Sequence, residues 1–349
     1  MRQWTIYILG LILWSSCSGP FTTKRENLVN PRISNSYYYN KTQKAIYYSP
    51  KGNWFELGYD KTSADFESFQ PLSEDYGKDN KNIFFKALVL SNVDYKTFYI
   101  DKNIPKDSFH VYENVDDKGL SIIPNADPAT FEYIIVDMDT IVTYRWAKDK
   151  KHYFLWGQPI NVDYSTFKIL NSNFMQDSRG LYTTFPGDSF QLLDSSQGTV
   201  RLITPNYVLA NNSLYYSQRP TGLRKSIVSS SENIKVLNDG VICIDSSGIF
   251  CGKKLQSVVD IKSFTGVGYD KFSGTAFSKD RFKVFYQNLW IKNADANTFT
   301  WLGDDYGKDL NHVYYKERIV EGANPKTFNF DWDFCTDGNH KYKNGVLVK

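Results

Sequence analysis

The side chains that could bind a metal ion are few and widely spaced along this chain. It has 349 residues and only four histidines, and no two of these are near neighbours in the sequence. A zinc site needs several ligands within one small volume. The histidines therefore predict no metal site. They are His110, His152, His312 and His340.

Paired carboxylates could bind Ca²⁺ or act as a general acid and base. None of the pairs has the spacing of an EF-hand loop, with its glycine and distal glutamate. The chain also lacks a helix-borne zinc motif, a phosphate-binding loop and a nucleophile elbow. We therefore expect solvated turns at these pairs, and we expect neither catalytic residues nor a cofactor. The pairs are Asp137/Asp139, Asp304/Asp305 and Asp331/Asp333.

The N-terminus indicates a different chemistry, that of export and lipidation. Arg2 supplies a positive charge, and residues 5–14 form an apolar run of signal-peptide length that is too short to cross a bilayer. Small residues then precede Cys17. Residues 1–17 resemble a bacterial lipoprotein leader with Cys17 as the lipidated residue, although Trp14 stands where an aliphatic residue is expected.

This leader predicts the location of the protein. No second apolar stretch is long enough to span a membrane, so acyl chains on Cys17 would hold the chain on the outer membrane or cell surface. The alternative is an ordinary secretory leader and a periplasmic or secreted protein. Residues 18–36 are rich in Ser, Thr, Asn and Pro, which predicts a flexible spacer.

Composition indicates a folded, β-rich protein without a strong charge preference. Apolar residues make up 41% of the chain, enough for a core, and the aromatic share of 16% favours strands. The formal net charge is +3 at pH 7 and drops by one when Arg2 leaves with the leader. This balance argues for neither nucleic acid nor an anionic membrane surface as partner.

A repeat anchored on an aspartate organises the mature chain. Residues 76–85 and 306–315 share a Tyr-Gly-Lys-Asp start and an apolar or aromatic end, and ten such copies align when the Asp is position zero. The anchors are Thr42, Asp79, Asp107, Asp149, Asp177, Ala210, Asp245, Asp280, Asp309 and Asp337.

Core-type residues recur at fixed offsets from each anchor. Position −3 is apolar or aromatic in all ten copies, and position +4 could fill a core in nine. Position +5 is aromatic in all ten, in a chain that is only 16% aromatic. The offsets therefore define a true repeat. The +5 residues are Tyr47, Phe84, Tyr112, Phe154, Tyr182, Tyr215, Phe250, Phe285, Tyr314 and Tyr342.

A second signature follows most anchors, an Asp or Asn with a Phe four residues later. In one copy Asp127 can cap a helical turn that has Pro128 at its first position, where no N–H is needed. The turn would direct the Phe into the core. The pairs are Asp65/Phe69, Asp94/Phe98, Asp127/Phe131, Asp163/Phe167, Asp260/Phe264, Asp295/Phe299 and Asn324/Phe328.

Together these motifs resemble the DKNYY family of bacterial repeat proteins. The best copies are residues 308–315 and 148–154, and the resemblance covers nearly all of residues 37–349. It implies a repeat architecture and no particular activity. The copies at Asp177 and Ala210 are degenerate. They mark either a division of the array near residues 193–205 or the diverged middle of one array.

Turn-forming residues between two short apolar runs predict a β-hairpin in every copy. With each hairpin centred two residues past its anchor, positions −3 and +5 would share one face, and 0, +4 and +6 the other. Both faces would be apolar and must be covered by stacking. We therefore predict an all-β, solenoid-like array of ten hairpin or meander repeats with short helical turns. A β-propeller-like arrangement is the alternative.

The same hairpin geometry predicts a disulfide. It places Cys243 and Cys251 opposite each other, with Cβ atoms close enough to bridge in an oxidising envelope. The alternative is that Cys243, Cys251 and Cys335 are small, buried apolar residues with free thiols.

Tryptophans are the remaining candidates for ligand contact. Exposed rings could stack on sugars or fill a partner's pocket, but the fixed offsets of most aromatics favour packing between repeats. We expect a non-catalytic cell-envelope lipoprotein whose repeat surface binds an envelope protein or a glycan. The alternative is a glycan-active envelope enzyme with carboxylates of separate repeats about 5–10 Å apart beside exposed aromatics. An immunity or adhesion role has no discriminating residue. The tryptophans are Trp54, Trp156, Trp290, Trp301 and Trp332.

Overall fold

Short antiparallel sheets account for nearly all regular structure in the computed structural model. Cys17 and the rest of the leader lie outside the described residues, as do residues 18–24. No helix in the described part of the chain is long and apolar enough to cross a membrane. The described residues are 25–115, 119–136, 145–185, 189–195, 199–218, 222–228, 233–238, 240–269 and 276–348.

Successive anchors belong to successive sheets, which confirms an all-β repeat array. We number the repeats 1 to 10 from Thr42 to Asp337. Repeat 3 is built from two two-stranded sheets, and the others have three or four strands each. The strands, repeat by repeat, are Tyr37–Asn40, Ala45–Tyr48 and Asp60–Lys61; Gln70–Pro71, Tyr76–Lys78, Ile83–Phe85 and Leu88–Leu90; Tyr99–Asp101, Ile104–Lys106, Tyr112–Asn114 and Leu120–Ile122; Glu132–Ile134, Trp146–Lys148, Tyr153–Leu155 and Gln158–Ile160; Lys168–Ile169, Phe174–Asp177, Gly180–Thr183 and Gln191–Asp194; Val200–Thr204, Tyr207–Ala210, Ser213–Gln218 and Gly222–Ile227; Ile234–Val236, Val241–Ile244, Ser247–Phe250 and Lys253–Lys254; Thr265–Tyr269, Ala276–Lys279, Val284–Tyr286 and Leu289–Trp290; Thr300–Gly303, Tyr306–Lys308, Val313–Tyr315 and Arg318–Ile319; and Cys335–Thr336, Lys341–Lys343 and Val346–Leu347.

Among the described residues, helical structure is confined to short turns. The helices are the 3₁₀ turns Arg25–Asn27 and Pro50–Gly52 and the single α turn Trp54–Leu57. Near the first of these, Leu28, Ser34 and Ser36 are buried, and Leu28 bridges to Tyr38 of repeat 1. The folded part of the chain therefore begins before residue 37. The predicted spacer, residues 18–36, must end earlier, because the C-terminal part of that segment is packed.

The chain divides into two compact units. The first holds repeats 1 to 4, which end at Ile160, and the second holds repeats 5 to 10, which follow Asn161. A division near residues 193–205 does not match this boundary, because the strand Val200–Thr204 belongs to repeat 6 within the second unit.

The hairpin register differs by one residue from the expected one. In repeat 9 the hairpin is centred between Leu310 and Asn311, and not at Asn311 itself. A one-residue shift in register reverses the two faces of one strand relative to its partner. Positions −3, +4 and +6 therefore share one face, and −2 and +5 share the other, so the predicted grouping of −3 with +5 is wrong. The pairs are Tyr306–Tyr315, Gly307–Tyr314 and Lys308–Val313.

Within each unit, the hydrophobic core lies between successive repeats. The face formed by positions −3, +4 and +6 of one repeat receives the +5 ring of the next, together with the Phe of the intervening helical turn. Between repeats 8 and 9, the ring centroid of Phe299 lies 5.1 Å from that of Phe277 and 5.8 Å from that of Tyr314. Equivalent clusters join repeats 1 and 2, 2 and 3, 3 and 4, and 9 and 10.

Position −2 must be small where the helical-turn Phe lies over it. A Cβ atom on Gly307 would stand 2.4 Å from Cζ of Phe299, and one on Gly77 would stand 2.3 Å from Cζ of Phe69. The glycine of the Tyr-Gly-Lys-Asp motif therefore exists to admit an aromatic ring.

Repeat 10 presents a polar version of the stacking face. Lys341 and Lys343 occupy its positions +4 and +6, and their Nζ atoms lie 5.9 and 5.0 Å from the ring centroid of Phe334 at position −3. Cation–π contacts cover this ring in place of an apolar neighbour. Polar outer faces are how repeat arrays end without exposing a core.

We predict that Gly307→Ala lowers the free energy of unfolding of the second unit by about 1–3 kcal/mol, because the added methyl group overpacks the Phe299 ring. Urea denaturation followed by intrinsic fluorescence measures the shift. Gly266→Ala is the matched control, since Gly266 lies in a strand of the same unit with nothing within 4 Å of its Cβ position. Equal effects of the two substitutions would contradict the packing role of Gly307.

Candidate functional site

Each anchor aspartate shapes the hairpin turn that follows it. In repeat 9, Asp309 is buried, and its Oδ1 accepts backbone N–H bonds from Asn311 at 2.8 Å and from His312 at 2.7 Å. The same pair of bonds recurs in repeats 2, 3, 4, 8 and 10. The anchors are therefore turn formers, as the sequence predicts.

The second carboxylate oxygen joins the two sequence signatures. Oδ2 of Asp309 accepts the N–H of Asp295 at 2.9 Å and the hydroxyl of Tyr314 at 2.8 Å. The Asp-to-Phe signature thus belongs to the anchor that follows it, although the sequence shows it trailing the preceding one. The bonded pairs are Asp65–Asp79, Asp94–Asp107, Asp127–Asp149, Asp163–Asp177, Asp260–Asp280, Asp295–Asp309 and Asn324–Asp337.

The threonine before the Phe completes this hydrogen-bonded unit. Thr298 Oγ1 donates to the Asp295 carboxylate at 2.8 Å and accepts the N–H of Leu310 at 3.3 Å. Leu310 directly follows the anchor, so the helical turn and the hairpin turn are tied at two points. The same threonine or serine bond to the residue after the anchor recurs in repeats 2, 3, 4, 5 and 8.

A lysine directly before the anchor links neighbouring repeats, and the sequence analysis missed it. Lys106 is buried, and its Nζ donates to Asp101 Oδ2 at 2.8 Å and to the Phe131 carbonyl of repeat 4 at 3.0 Å. Lys279 likewise donates to the carbonyls of Ala296 and Phe299. The signal was the Lys-Asp dipeptide, which recurs at five anchors.

We call the hydrogen bonds that the two oxygens of an anchor carboxylate accept from the hairpin turn and the helical turn the clamp. These bonds favour the ionised form of the anchor carboxylates. Burial raises the pKa of Asp309, but the N–H donors of Asp295, Asn311 and His312 outweigh this effect, and the pKa lies below its usual range. The same balance lowers the pKa of five further anchors. They are Asp79, Asp107, Asp149, Asp177 and Asp337.

The histidines stay apart, one in each of four repeats. Each ring nitrogen Nδ1 lies 3.4–3.9 Å from the carboxylate of its own anchor. Within the described residues, no group of three or more His, Cys, Asp or Glu side chains could hold a metal ion. The four are His110, His152, His312 and His340.

The acid pairs do not form one site among the described residues. Asp305 is buried and accepts the hydroxyl of Tyr286 at 2.7 Å, so the prediction of a solvated turn is wrong there. Asp331 and Asp333 are exposed, as expected. Asp137 and Asp139 lie outside the described residues.

Cys243 and Cys251 do not form the predicted disulfide. The hairpin of repeat 7 turns at residues 245–246, so Cys243 pairs with Gly248 and the two cysteines are not opposite each other. Both thiols and that of Cys335 are free and buried. Burial raises the pKa of Cys243 to about 12. The three cysteines therefore act as small apolar core residues.

One cavity in the first unit gathers carboxylates, amides and aromatic rings. It has a volume of about 480 Å³ and lies among repeats 2, 3 and 4. The polar and aromatic residues of its wall come from different strands and turns. They include Glu74, Asp75, Asn103, Glu113, Tyr133 and Trp156.

Trp156 is placed in this cavity by a turn that does not need an aromatic residue. Trp156 and Gly157 have positive φ angles of 49° and 67° and connect the last two strands of repeat 4, the combination that two-residue hairpins favour. The ring is 48% exposed. In the equivalent turns of repeats 2, 8, 9 and 10, position +7 carries a polar residue, namely Lys86, Gln287, Lys316 and Asn344. Comparison at this offset is the sequence signal that identifies Trp156.

The carboxylates of the cavity differ in how they are held. Glu74 accepts the Ser36 hydroxyl at 2.6 Å, and Asp75 accepts the Tyr48 hydroxyl at 2.6 Å, so both are bonded to repeat 1. Glu113 lies under the Trp156–Gly157 turn, where a Cβ atom on Gly157 would stand 2.6 Å from its Oε2. Burial raises the pKa of Glu113.

The other tryptophans fall into two groups. Trp301 packs over Gly268, and Trp290 packs against the core between repeats, so the prediction of inter-repeat packing holds for them. Trp332 is 77% exposed and has an edge contact with Phe330. Trp54 is half-buried next to Phe55. Trp156 is thus the exposed tryptophan that also lines a cavity with carboxylates.

The sequence model of the DKNYY family matches residues 146–345, which is more than half of the chain. No curated protein matches the chain, and no solved structure matches it. The match includes Trp156 and the anchors of repeats 4 to 10.

We predict that Asp309→Asn destabilises the second unit by about 1–3 kcal/mol at pH 7, because the amide NH₂ cannot accept the buried N–H bonds. The stabilisation from Asp309 is present above its unfolded pKa, about 3.9, and is lost as the pH falls towards the lowered folded pKa. The difference from the wild type should therefore shrink between pH 5 and pH 2. Urea denaturation across this pH series measures it.

The exposed carboxylate of Asp333 supplies the control for this series. Asp333→Asn should leave both the stability at neutral pH and its pH dependence close to those of the wild type. A gap between Asp309→Asn and the wild type that stayed constant with pH would show that ionisation of Asp309 is not the cause.

Proposed function

Because the chain belongs to the DKNYY family and its motif residues are used in the hydrogen bonds of the fold, we propose a non-catalytic binding function at the cell envelope. The protein is held there by acyl chains on Cys17, and it binds a glycan in the cavity among repeats 2, 3 and 4. The observation that carries this proposal is the exposed Trp156, at a turn position that holds a polar residue in repeats 2, 8, 9 and 10.

The chemistry of the cavity suits a sugar. An exposed indole offers a flat apolar face on which a sugar ring can stack. Carboxylates and the Asn103 amide can bond hydroxyl groups, and Tyr133 adds a second ring to the wall. The volume of about 480 Å³ lies in the usual range of ligand sites.

The leader and the thiols support the envelope location. Residues 1–17 have the features of a lipoprotein signal, and acyl chains on Cys17 would hold the chain at a membrane surface. Burial raises the pKa of Cys243, Cys251 and Cys335. Since the thiolate is the reactive form, these cysteines resist oxidation without being paired.

The second candidate is a glycan-active envelope enzyme, and Glu113 is the observation that favours it. A carboxyl group with a raised pKa suits a general acid. Either Glu74 or Asp75 would supply the second carboxylate, but both already accept hydrogen bonds from hydroxyl groups of repeat 1. We therefore place binding ahead of catalysis.

We predict that the wild type incorporates labelled palmitate and that globomycin blocks its processing, whereas Cys17→Ala incorporates no label. The physical reason is that the acyl chains are attached through Cys17. A processed, unlabelled wild type would overturn the anchor and leave a released periplasmic or secreted protein.

We predict that Trp156→Ala weakens binding of the mature chain to insoluble peptidoglycan by about tenfold, because stacking on an indole contributes on the order of 1.4 kcal/mol. Co-sedimentation at a series of peptidoglycan concentrations measures the affinity. Trp332→Ala removes an equally large exposed ring outside the cavity and should bind like the wild type. Equal loss in both variants, or in neither, would contradict a site at Trp156.

The same assay separates binding from catalysis through Glu113→Gln. Release of soluble fragments by the wild type, lost in Glu113→Gln while sedimentation persists, would establish the enzyme. Binding without fragment release in both proteins supports the non-catalytic proposal.

A further inference from the structure

An exposed apolar surface lies on repeats 1 and 2. Phe55 is 81% exposed, the most exposed large apolar side chain among the described residues, and Leu57 is 60% exposed. Leu57 and Tyr59 of repeat 1 line a depression of about 560 Å³ together with Leu88 of repeat 2. We call Phe55, Leu57, Tyr59 and Leu88 the repeat 1–2 patch.

The α turn Trp54–Leu57 keeps Phe55 and Leu57 exposed. Asn53 caps the α turn Trp54–Leu57 by accepting the N–H of Glu56. Gly58 ends the turn with a φ of 75°, and the chain then joins the sheet at Asp60 and Lys61. The turn buries none of its residues. Its apolar side chains therefore contribute nothing to the core, and their exposure calls for a contact outside the molecule.

Charged residues line the depression or adjoin it in the sequence. Asp60, Lys61 and Lys86 line it, and Lys51 and Glu56 are exposed residues close to it along the chain. The Lys86 Nζ lies 5.2 Å from the ring centroid of Phe85. Long lysine stems beside Phe, Leu and Tyr side chains are typical of surfaces that enter the interfacial region of a bilayer.

The distance between the patch and the N-terminal tether indicates that a bilayer is the surface that covers the patch. Leu28 bridges to Tyr38, Tyr38 pairs with Tyr47, and Tyr47 pairs with Lys61. Lys61 is therefore three strand spacings from Leu28, or about 14 Å across the sheet. The eleven residues from Cys17 to Leu28 can span at most about 40 Å. A bilayer that holds acyl chains on Cys17 is thus within reach of the patch.

We propose that the repeat 1–2 patch rests on the membrane surface to which Cys17 is tethered, with Phe55 and Leu57 inserted among the lipid headgroups. The inference rests on the proposed lipid anchor and goes beyond it, because it assigns the orientation of the first unit on the membrane. A tether alone leaves the chain free to turn, whereas a second apolar contact fixes one face towards the bilayer.

The experiment uses the lipidated protein purified in detergent and reconstituted into vesicles of phosphatidylethanolamine and phosphatidylglycerol. An environment-sensitive nitrobenzoxadiazole dye is attached at Leu57→Cys or, as the matched control, at Ile227→Cys. Ile227 is also 60% exposed and lies in the second unit. Cys243, Cys251 and Cys335 are buried, and a lipidated Cys17 has no free thiol, so only the introduced cysteine reacts.

We expect the emission of the dye at position 57 to shift to the blue on reconstitution, with no shift at position 227. Phe55→Ser in the Leu57→Cys background should reduce the shift, because it removes apolar contact without disturbing the core. Flotation of the vesicles reports the tether separately. Floated protein without a blue shift at position 57 overturns the patch while the lipoprotein stands.

Two further outcomes also overturn the inference. A blue shift at position 57 that appears without vesicles and grows with protein concentration would assign the patch to contact between two copies of the chain. A blue shift of equal size at both positions would show that no particular face meets the bilayer. Failure of palmitate labelling is a different result, since it removes the anchor itself.

Discussion

Most repeats depend on one bidentate acceptor, the carboxylate of the anchor aspartate, which bonds both turns in repeats 2, 3, 4, 8, 9 and 10. Asp309 bonds its own hairpin turn through Oδ1 and the preceding helical turn through Oδ2. Short two- to four-stranded sheets are marginal on their own. In these repeats the clamp accompanies one hairpin register, centred between the first and second residues after the anchor. The register in turn decides which side chains form the stacking face. Replacement by a neutral residue would leave buried N–H groups without an acceptor, which costs more than a single hydrogen bond contributes.

Once the clamp is formed, the remaining motif residues have little freedom. The −1 lysines bond carbonyl groups of the next helical turn, and the +5 tyrosines bond anchor carboxylates. The residues most characteristic of the repeat are therefore unavailable for a ligand. Functional residues should be sought at exposed positions of the repeat where one copy carries a different type of residue from the other copies. Trp156 satisfies this criterion at position +7, and Phe55 and Leu57 satisfy it in the α turn Trp54–Leu57 of repeat 1, which no other repeat shows among the described residues.

The sequence was sufficient to predict the β class, the number of repeats and the apolar offsets, because burial at fixed spacing leaves a strong statistical pattern. It was not sufficient for the register. The observed turn of repeat 9 is centred between Leu310 and Asn311, and the expected one was centred at Asn311. Both turns contain the same residue types. In the observed turn, Asp309 Oδ1 accepts the N–H groups of Asn311 and His312. The disulfide prediction failed because the hairpin of repeat 7 turns at residues 245–246, so that Cys243 pairs with Gly248. Lys106 escaped notice because lysine is rarely buried unless its ammonium group has partners.

Repeat 6 shows how the fold survives without the clamp. Repeat 6 has Ala210 at the anchor, and its hairpin closes through a tight turn in which Asn211 has a φ of 51°. Its last two strands, Ser213–Gln218 and Gly222–Ile227, are six residues each and pair in one continuous ladder. Tyr215 at +5 bonds Asp194 of the preceding repeat at 2.6 Å in place of an anchor. Longer strands thus replace the carboxylate clamp with backbone hydrogen bonds. Because each repeat contacts only its neighbours, such an exchange remains local, and loss of the motif in the sequence need not mean a break in the array.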